Sequence, residues 1–462
     1  MRINTNMSAL RSCYQLNKAN DKLSKSLERL SSGYKINSAE DNPVGAAISQ
    51  KLKTQLKGLD RAIQNASDGI SVVETAEGAL NEVTEMVQRM RELAIKGANG
   101  TMSATDRQSI MDEIEKLQEE IDRISSDTEF NTRGLLNGEL SRRCYTDRAH
   151  VHVTYISDSV EDGQYALGVR AEATYATFNT RAIDVPQNGI EVSGSITVNG
   201  ETVDIEKGDT LDQVLEKIKS VADLSDIAVN YDGTKIEFKS TIPGSNYPIK
   251  LNCTDVLAEK LGIGLEESAQ GTDADVAIET TGEYPFPPST TIEVDGNHVT
   301  LSASEGFEMR FNIDEGLVDG GPRPVFITAL DIGTMVIQMG ANEGQIMDIN
   351  IPEVSCAAMG IDKLNLHTEA GCDRAIDILD DALKYVSQVR SKLGAYTNRM
   401  EHAVNSLSVT NENMTAALSR IEDADMAEEM TNFTSQQVIT QAANSMLAQA
   451  NQLPEKVLQL LQ

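Results

Sequence analysis

Apolar residues recur through the first third of the chain at steps of three and four, the spacing of one helical face. Met7, Leu10 and Tyr14, then Leu23, Leu27 and Leu30, mark a first helix. A much longer run follows, from Ile48, Leu52, Leu56, Leu59 and Ile63 through Ala76, Leu80 and Val83 to Val87, Met90 and Ala94. Its mean step of roughly 3.5 is the heptad value, which favours left-handed supercoiling over a lone surface helix. Gly58, Gly69 and Gly78 interrupt it at about 1 kcal/mol each relative to alanine, so partner helices must hold it. After Gly97-Ala98-Asn99-Gly100, Ser103 and Thr105 with Asp106 restart a helix whose seam is Ile110, Ile114, Leu117, Ile121 and Ile124. The far end answers. Ile376, Leu379, Leu383, Val386, Leu393, Met400, Val404, Leu407, Met414, Leu418 and Ile421 hold a heptad grid, with Arg390, Thr397 and Asn411 as polar exceptions. One helix over that stretch would be roughly 68 Å long, which implies a rod. Polar seam residues of this kind fix register at some cost in stability.

Between the first two helices lies a joint, LERLSSGYKINSAEDNPVGAAISQKL from Leu27 to Leu52. Gly33 suits a left-handed C-terminal cap. Asp41 or Asn42 can accept the orphan N–H groups of the next helix, and Pro43 fits its first turn, where no donor is missed.

From Ser141 the period changes to two. His150–Ile156 alternates as a half-buried strand does. His150 and His152 share a face there and could ligate a metal, but no third ligand is evident, so solvent-facing strand positions are the reading. Ser195–Ile205 is a hairpin about Asn199-Gly200, and Thr210 with Gln213 makes a capping box ahead of Leu211, Val214, Leu215 and Ile218. Further hairpins are predicted at Ile227–Lys239, at Thr291–Leu301, and between Thr334–Met339 and Ile346–Ile351.

Charge and proline sharpen this division. The formal charge is −31, and 141–370 carries most of it, so nucleic acid and anionic membranes are poor partners. Nine of the eleven prolines lie between Pro186 and Pro352. The ends are helix-compatible and the middle is not. The predicted fold class is therefore α+β multidomain: long antiparallel coiled-coil helices from both chain ends forming a rod, with a β-rich inserted outer domain. Cys13, Cys144, Cys253, Cys356 and Cys372 are scattered without a CxxC pair, which indicates neither a zinc site nor a disulfide framework and leaves buried or partly buried free thiols. HExxH, GxSxG and phosphate-loop motifs are absent. No catalytic, cofactor or metal residue is assigned, and the chain is read as a non-enzyme. Met1–Asn20 shows no basic, apolar-cored signal peptide, and no apolar run approaches the ~18 residues of a membrane span, so membrane insertion is not expected.

The joint at Leu27–Leu52 closely resembles the N-terminal signature of bacterial flagellins. SRIEDADMAEEM from Ser419 and the ending MLAQANQLPEKVLQLLQ resemble the C-terminal one. The hairpin–helix–hairpin unit at Ser195–Lys239 resembles a flagellin insertion module, and QMGANEGQ from Gln338 resembles the hairpin where flagellins re-enter the rod. Together the two terminal signatures cover about half of the chain. Cys13 and the SRRCYTDRAHVHVTYI stretch depart from the pattern. The resemblance implies five segments: inner core helices at 1–42 and 421–462, helical rod halves at 43–140 and 331–420, and an acidic variable outer domain at 141–330. It implies a homopolymeric extracellular filament, export through the flagellar type III apparatus, an export chaperone, and filament cap and hook-associated proteins as partners. The alternative is a hook–filament junction protein, whose ends look similar. The segment Gln88–Ile95 resembles the part of flagellin recognised by Toll-like receptor 5, which assigns Gln88, Arg89 and Leu93 with Glu113 as receptor-binding residues.

For self-assembly the residues are Leu23, Leu27 and Leu30 with Val438, Met446, Leu453, Val457 and Leu461. The last helix backs its apolar stripe with Gln, Asn and Ser instead of charge, which suits contact with neighbouring helices more than water. A single pair of terminal helices would bury too little apolar surface to offset ordering, so Met1–Asn42 and Thr431–Gln462 are expected to be largely disordered in the monomer and to form the inner wall of the filament. Cys13, beside the apolar face, is expected to be a packed, reduced thiol.

Overall fold

The structure, a computed structural model, describes residues 6–157, 159–181, 183, 190–279, 284–317, 323–330 and 332–460; the side chains of Glu305, Arg323 and 453–460 are not described. Eight α-helices are described: α1 (Met7–Ser32), α2 (Pro43–Gly97), α3 (Ala104–Asp127), α4 (Leu211–Asp223), α5 (Asp255–Leu261), α6 (Cys356–Met359), α7 (Glu369–Glu422) and α8 (Met426–Leu460). Two compact units result. Unit 1 comprises Met1–Asp68, Gln338–Met347 and Met400–Gln462; unit 2 comprises Gly69–Ile337 and Asp348–Arg399.

The capping chemistry read from the sequence is in place. Gly33 closes α1 at φ 77°, its N–H donating to the Arg29 carbonyl. Asn42, not Asp41, takes the first turn of α2, its Oδ1 accepting from the Gly45 N–H at 2.9 Å. Asp41 is turned back onto the loop, where the N–H groups of Ser38 and Asn37 donate to it at 3.2 Å each and outweigh burial to hold its carboxyl below the usual range. Ser103 and Asp106 form a complete capping box on α3, and Thr210 and Gln213 form one on α4.

In unit 2 the helical seam is dry. Val73, Ala76, Leu80, Val83, Val87 and Met90 of α2 are fully buried, as are Ile114 and Ile121 of α3 and Leu379, Val386 and Leu393 of α7. Arg390, the first polar exception, reaches Glu77 of α2 at 3.9 Å. In unit 1 the seam opens: Val404, Leu407, Met414, Leu418 and Ile421 are only half-buried. There Asn411 donates from its amide to the Asp60 carboxylate, a polar contact of the kind that fixes register between α7 and α2. At Gly58 an added Cβ would lie 2.9 Å from that of Ala341, so only glycine lets the 338–347 hairpin tip sit this close to α2.

The β-rich part of unit 2 is two lobes, each with its own hydrophobic core. Lobe A packs one four-stranded antiparallel sheet (Asp275–Ile278, Gly163–Ala171, Arg323–Ala329, Cys144–Thr146) with a second (Thr291–Asp295, His298–Ser302, Glu308–Ile313, Val151–Ile156) around Tyr165, Leu167, Phe307, Met309 and Phe311. Lobe B packs α4, α5 and two sheets around Ile196, Val214, Ile218, Phe238, Leu251 and Leu257. Its first hairpin turns at Asn199 (φ 48°) and Gly200 (φ 98°), two left-handed residues in succession, as the Asn-Gly pair requires. Lobe B is inserted into lobe A, and the two passages of the chain are tied by an isolated bridge between Thr174 and Thr272. The sequence reading showed hairpins but not this nesting.

One expectation is corrected. The described parts of both chain ends are helices that pair with each other, α1 against α8, not disordered coil. A seam of small residues lets the two backbones approach.

Candidate assembly surface

The α1–α8 pair is antiparallel: Asn6 at the start of α1 donates from its amide to the Ala450 carbonyl at 2.9 Å, while Ser26 near its end donates to Glu429 at the start of α8. The residues of α1 turned inward step by three and four through Ser12, Leu16, Ala19, Leu23, Ser26 and Leu30, with only Ala19 and Ser26 fully buried. On α8 the matching positions are Phe433, Gln436, Thr440, Ala443, Leu447 and Ala450. Alanine and serine at half of the α1 positions make this seam thin. The sequence reading, which followed the large apolar residues, missed Ala19, Ser26 and Ala450; the signal available was the same heptad step in small residues.

Those large residues divide. Leu23 and Leu30 are half-buried on the α8 side. Leu27, Val438 and Met446 stand outward at 56%, 59% and 60% exposure, together with Met7, Leu10, Tyr14, Met430 and Ile439. Leu453 and Val457 lie in α8 with only their backbone described, and Leu461 lies outside the described residues. Each outward side chain, once covered, would contribute about 1.5–3 kcal/mol. The terminal pair therefore has an apolar surface that the described residues of its own chain do not cover.

Below the pair, both helical arms break together. Lys35 N–H donates to the Glu422 carbonyl at 2.6 Å, and Ala424 N–H to that of Gly33 at 2.9 Å. Lys53 forms an ion pair with the buried Glu422 carboxylate and lies 5.6 Å from the centre of the Tyr34 ring. A buried carboxylate needs such a partner, and here it ties the α7–α8 joint to α2.

The second predicted surface lies in unit 2. Arg89 Nη2 and Nε donate to Glu113 Oε1 at 2.8 and 3.1 Å, with Glu92 at 3.4 Å on the same helix. The Glu113 hydrogen bond, and after it the Glu113 charge, raises the guanidinium above its ordinary value. Gln88 is exposed beside it. Leu93 is not: at 3% exposure it packs into the helical seam and supports this ridge from beneath. Phase explains the difference, since Leu93 follows Met90 by three residues on the buried stripe.

His152 is exposed on its strand, with Asp314 at 3.2 Å, and no group of three His, Cys, Asp or Glu able to hold a metal occurs among the described residues. Nor is any described helix long and apolar enough to cross a membrane.

Among the cysteines, Cys253, Cys356 and Cys372 are buried and Cys144 is half-buried. Burial pushes the Cys144, Cys253 and Cys372 thiols up to about 11, and that of Cys356 further. Cys13 is exposed, contrary to expectation, because it falls one position beyond the inward Ser12.

Comparison with known proteins decides what this surface belongs to. The model of the bacterial flagellin N-terminal helical region matches residues 3–141, and that of the C-terminal helical region matches 376–461. Polar flagellin C of Vibrio parahaemolyticus is 33% identical over 461 residues, covering 100% of this chain and 99% of the relative. The chain belongs to the bacterial flagellin family. Flagellin A of Vibrio cholerae is 32% identical over 464 residues, again covering 100% of this chain and 99% of its own length. A solved FliC from Burkholderia pseudomallei aligns at 15% identity with a TM-score of 0.24, covering 72% of this chain and 99% of that one, too distant to add an argument. Flagellins are structural subunits of the flagellar filament, and family membership gives this chain that role.

Proposed function

We propose that this flagellin polymerises by covering the outward stripes of α1 and α8 with the terminal pairs of neighbouring copies, so that both helices line the inside of the filament. What carries the reading is the uncovered set Met7, Leu10, Tyr14 and Leu27 on α1 with Val438 and Met446 on α8. An apolar stripe backed by uncharged amides suits contact on several sides and solvates poorly. The subunit leaves through the flagellar type III apparatus with an export chaperone, and it meets the filament cap and the hook-associated proteins in the assembled organelle. Electron microscopy of the purified chain under polymerising conditions tests this. Filaments are expected, and monomer that never polymerises would rule the reading out.

Cys13 reports the same event. Maleimide is expected to label it readily in dilute monomer and at least tenfold more slowly in intact filaments. Equal rates in the two states would mean that α1 stays uncovered.

The Arg89 ridge is the surface proposed for Toll-like receptor 5. Gln88, Arg89 and Glu113 are exposed for contact, and Leu93 shapes the ridge without touching the partner. Arg89→Glu is expected to weaken monomer binding and signalling at least tenfold, because it removes a fork donor and sets a new charge beside Glu113. The swap Arg89→Glu with Glu113→Arg restores the intramolecular pair. It should not restore binding if the receptor reads Arg89 itself. Unchanged signalling by the single variant would end the proposal.

A further inference from the structure

Both lobes meet α7 through an arginine and a tyrosine, and the polarity is reversed between them. Lobe A supplies the cation. Arg310, on the strand Glu308–Ile313, holds its guanidinium 5.2 Å from the centre of the Tyr385 ring of α7 and 5.8 Å from that of Tyr155. Those two rings meet edge to face, their centres 5.8 Å apart at 85°. Glu308 Oε1 fixes the guanidinium from behind, accepting from Nε at 2.8 Å and lying 2.6 Å from Nη2, and the Tyr385 hydroxyl donates to the Glu353 carbonyl at 2.7 Å.

For lobe B, α7 supplies the cation. Arg374 lies 5.3 Å from the centre of the Tyr247 ring. Tyr247 sits in the loop after Ile236–Ser240, which is itself pinned to lobe A: Ser245 N–H donates to Asp273 at 2.7 Å, and the Asn246 amide to Asp295 at 2.7 Å. Just ahead of α7, Asn365 donates to the Leu224 carbonyl of lobe B at 2.9 Å. Arg374 and Tyr385 are eleven residues apart, close to three whole turns, so they project from one face of α7.

Tyr385 is 2% exposed, although it belongs to neither lobe core. The ring belongs to the buried seam of α7, with Ala382, Val386 and Val389, and Arg310 and Tyr155 of lobe A meet it there. Arginine suits this place because its planar, weakly hydrated guanidinium stacks on a ring, which an ammonium does less well.

We propose that Arg310–Tyr385 and Tyr247–Arg374 are paired clamps that set the attitude of both outer lobes along α7, making Arg310, Arg374 and Tyr385 positioning residues for the surface that a subunit presents. The clamps stand outside the lobe cores, so releasing them frees the lobes without unfolding them.

The test uses the full chain with Cys13→Ser and Cys144→Ser, leaving the buried thiols unlabelled. Spin labels are placed through Ser391→Cys on α7, paired with Thr291→Cys on lobe A or with Asn230→Cys on lobe B, all three at exposed positions. The parent should give one narrow distance for each pair. Arg310→Gln should broaden the Thr291 distance and Arg374→Gln the Asn230 distance, each raising the undocked fraction roughly 2- to 30-fold, while the Lys variants fall between. Thermal melting of each lobe shows whether its core survives; if a Gln variant loses one, the Lys variant carries the test. Distances as narrow in the double Gln variant as in the parent would overturn the proposal, as would broadening that appears only when a lobe core has melted.

Discussion

A chain lacking Thr431–Gln462 is expected to form no filaments while keeping unit 2 folded. The deletion takes away nearly all of α8, and with it the half-buried seam that Leu23 and Leu30 use and the outward Val438 and Met446. Neither terminal helix has the core to stand alone. Ala19 and Ser26 are the buried residues of α1, whereas α3, of similar length, buries five. Ordering costs roughly 1–2 kcal/mol per residue in backbone freedom, so α1 without a partner returns to coil. The cores of unit 2 draw on Gly69–Ile337 and Asp348–Arg399, none of which is removed. Negative-stain microscopy under polymerising conditions, with circular dichroism and melting of the truncated chain, checks both halves. Normal filaments would show that α8 is dispensable, and loss of the lobe transitions would show that unit 2 depends on it.

Truncating one core phenylalanine should melt one lobe and spare the other. Phe311 is 1% exposed within the lobe A core, and Phe238 is fully buried within that of lobe B. Phenylalanine-to-alanine changes at such sites cost about 3–5 kcal/mol through lost transfer energy and the cavity left behind. For a domain of this size that lowers the midpoint by more than about 10 °C. Phe311→Ala is expected to shift the lobe A step and Phe238→Ala the lobe B step, resolved by hydrogen exchange in strands of each lobe during heating. Equal shifts of both lobes with either variant would mean that they share a single cooperative core.

The parts of the fold that local chemistry decides were legible in the sequence. Gly33, Asn42-Pro43, Ser103 with Asp106, Thr210 with Gln213 and the Asn199-Gly200 turn each act within four residues, and each stands where its type requires. The long heptads were legible for the same reason, since periodicity along one helix is local information. What escaped was which face of α1 meets α8, and which distant strands pair. The first helix has two candidate stripes, and the larger side chains of Met7, Leu10, Tyr14 and Leu27 drew attention away from the small residues that actually face α8. Leu93 shows the converse: a motif resemblance put it on a binding surface, whereas its phase beside Met90 buries it. The nesting of the lobes depends on pairing between strands far apart in sequence, such as Ile327 with Tyr165, and alternation within a strand carries no record of its neighbour.

The bridge between Thr174 and Thr272 gives the β-rich region a physical seam. The two strands of chain meet there through a 2.8 Å N–H to carbonyl bond from Thr174 to Thr272 and a 2.9 Å return from Thr272 N–H to the Thr174 hydroxyl. Antiparallel partners lie only about 5 Å apart, a gap that a two-residue turn closes. The chain between them therefore leaves and returns at one point, while Tyr247 and Leu224 fasten it to α7 and the segment ahead of it. A change of length between the two threonines thus leaves the strands of lobe A and the helices of unit 2 in their register.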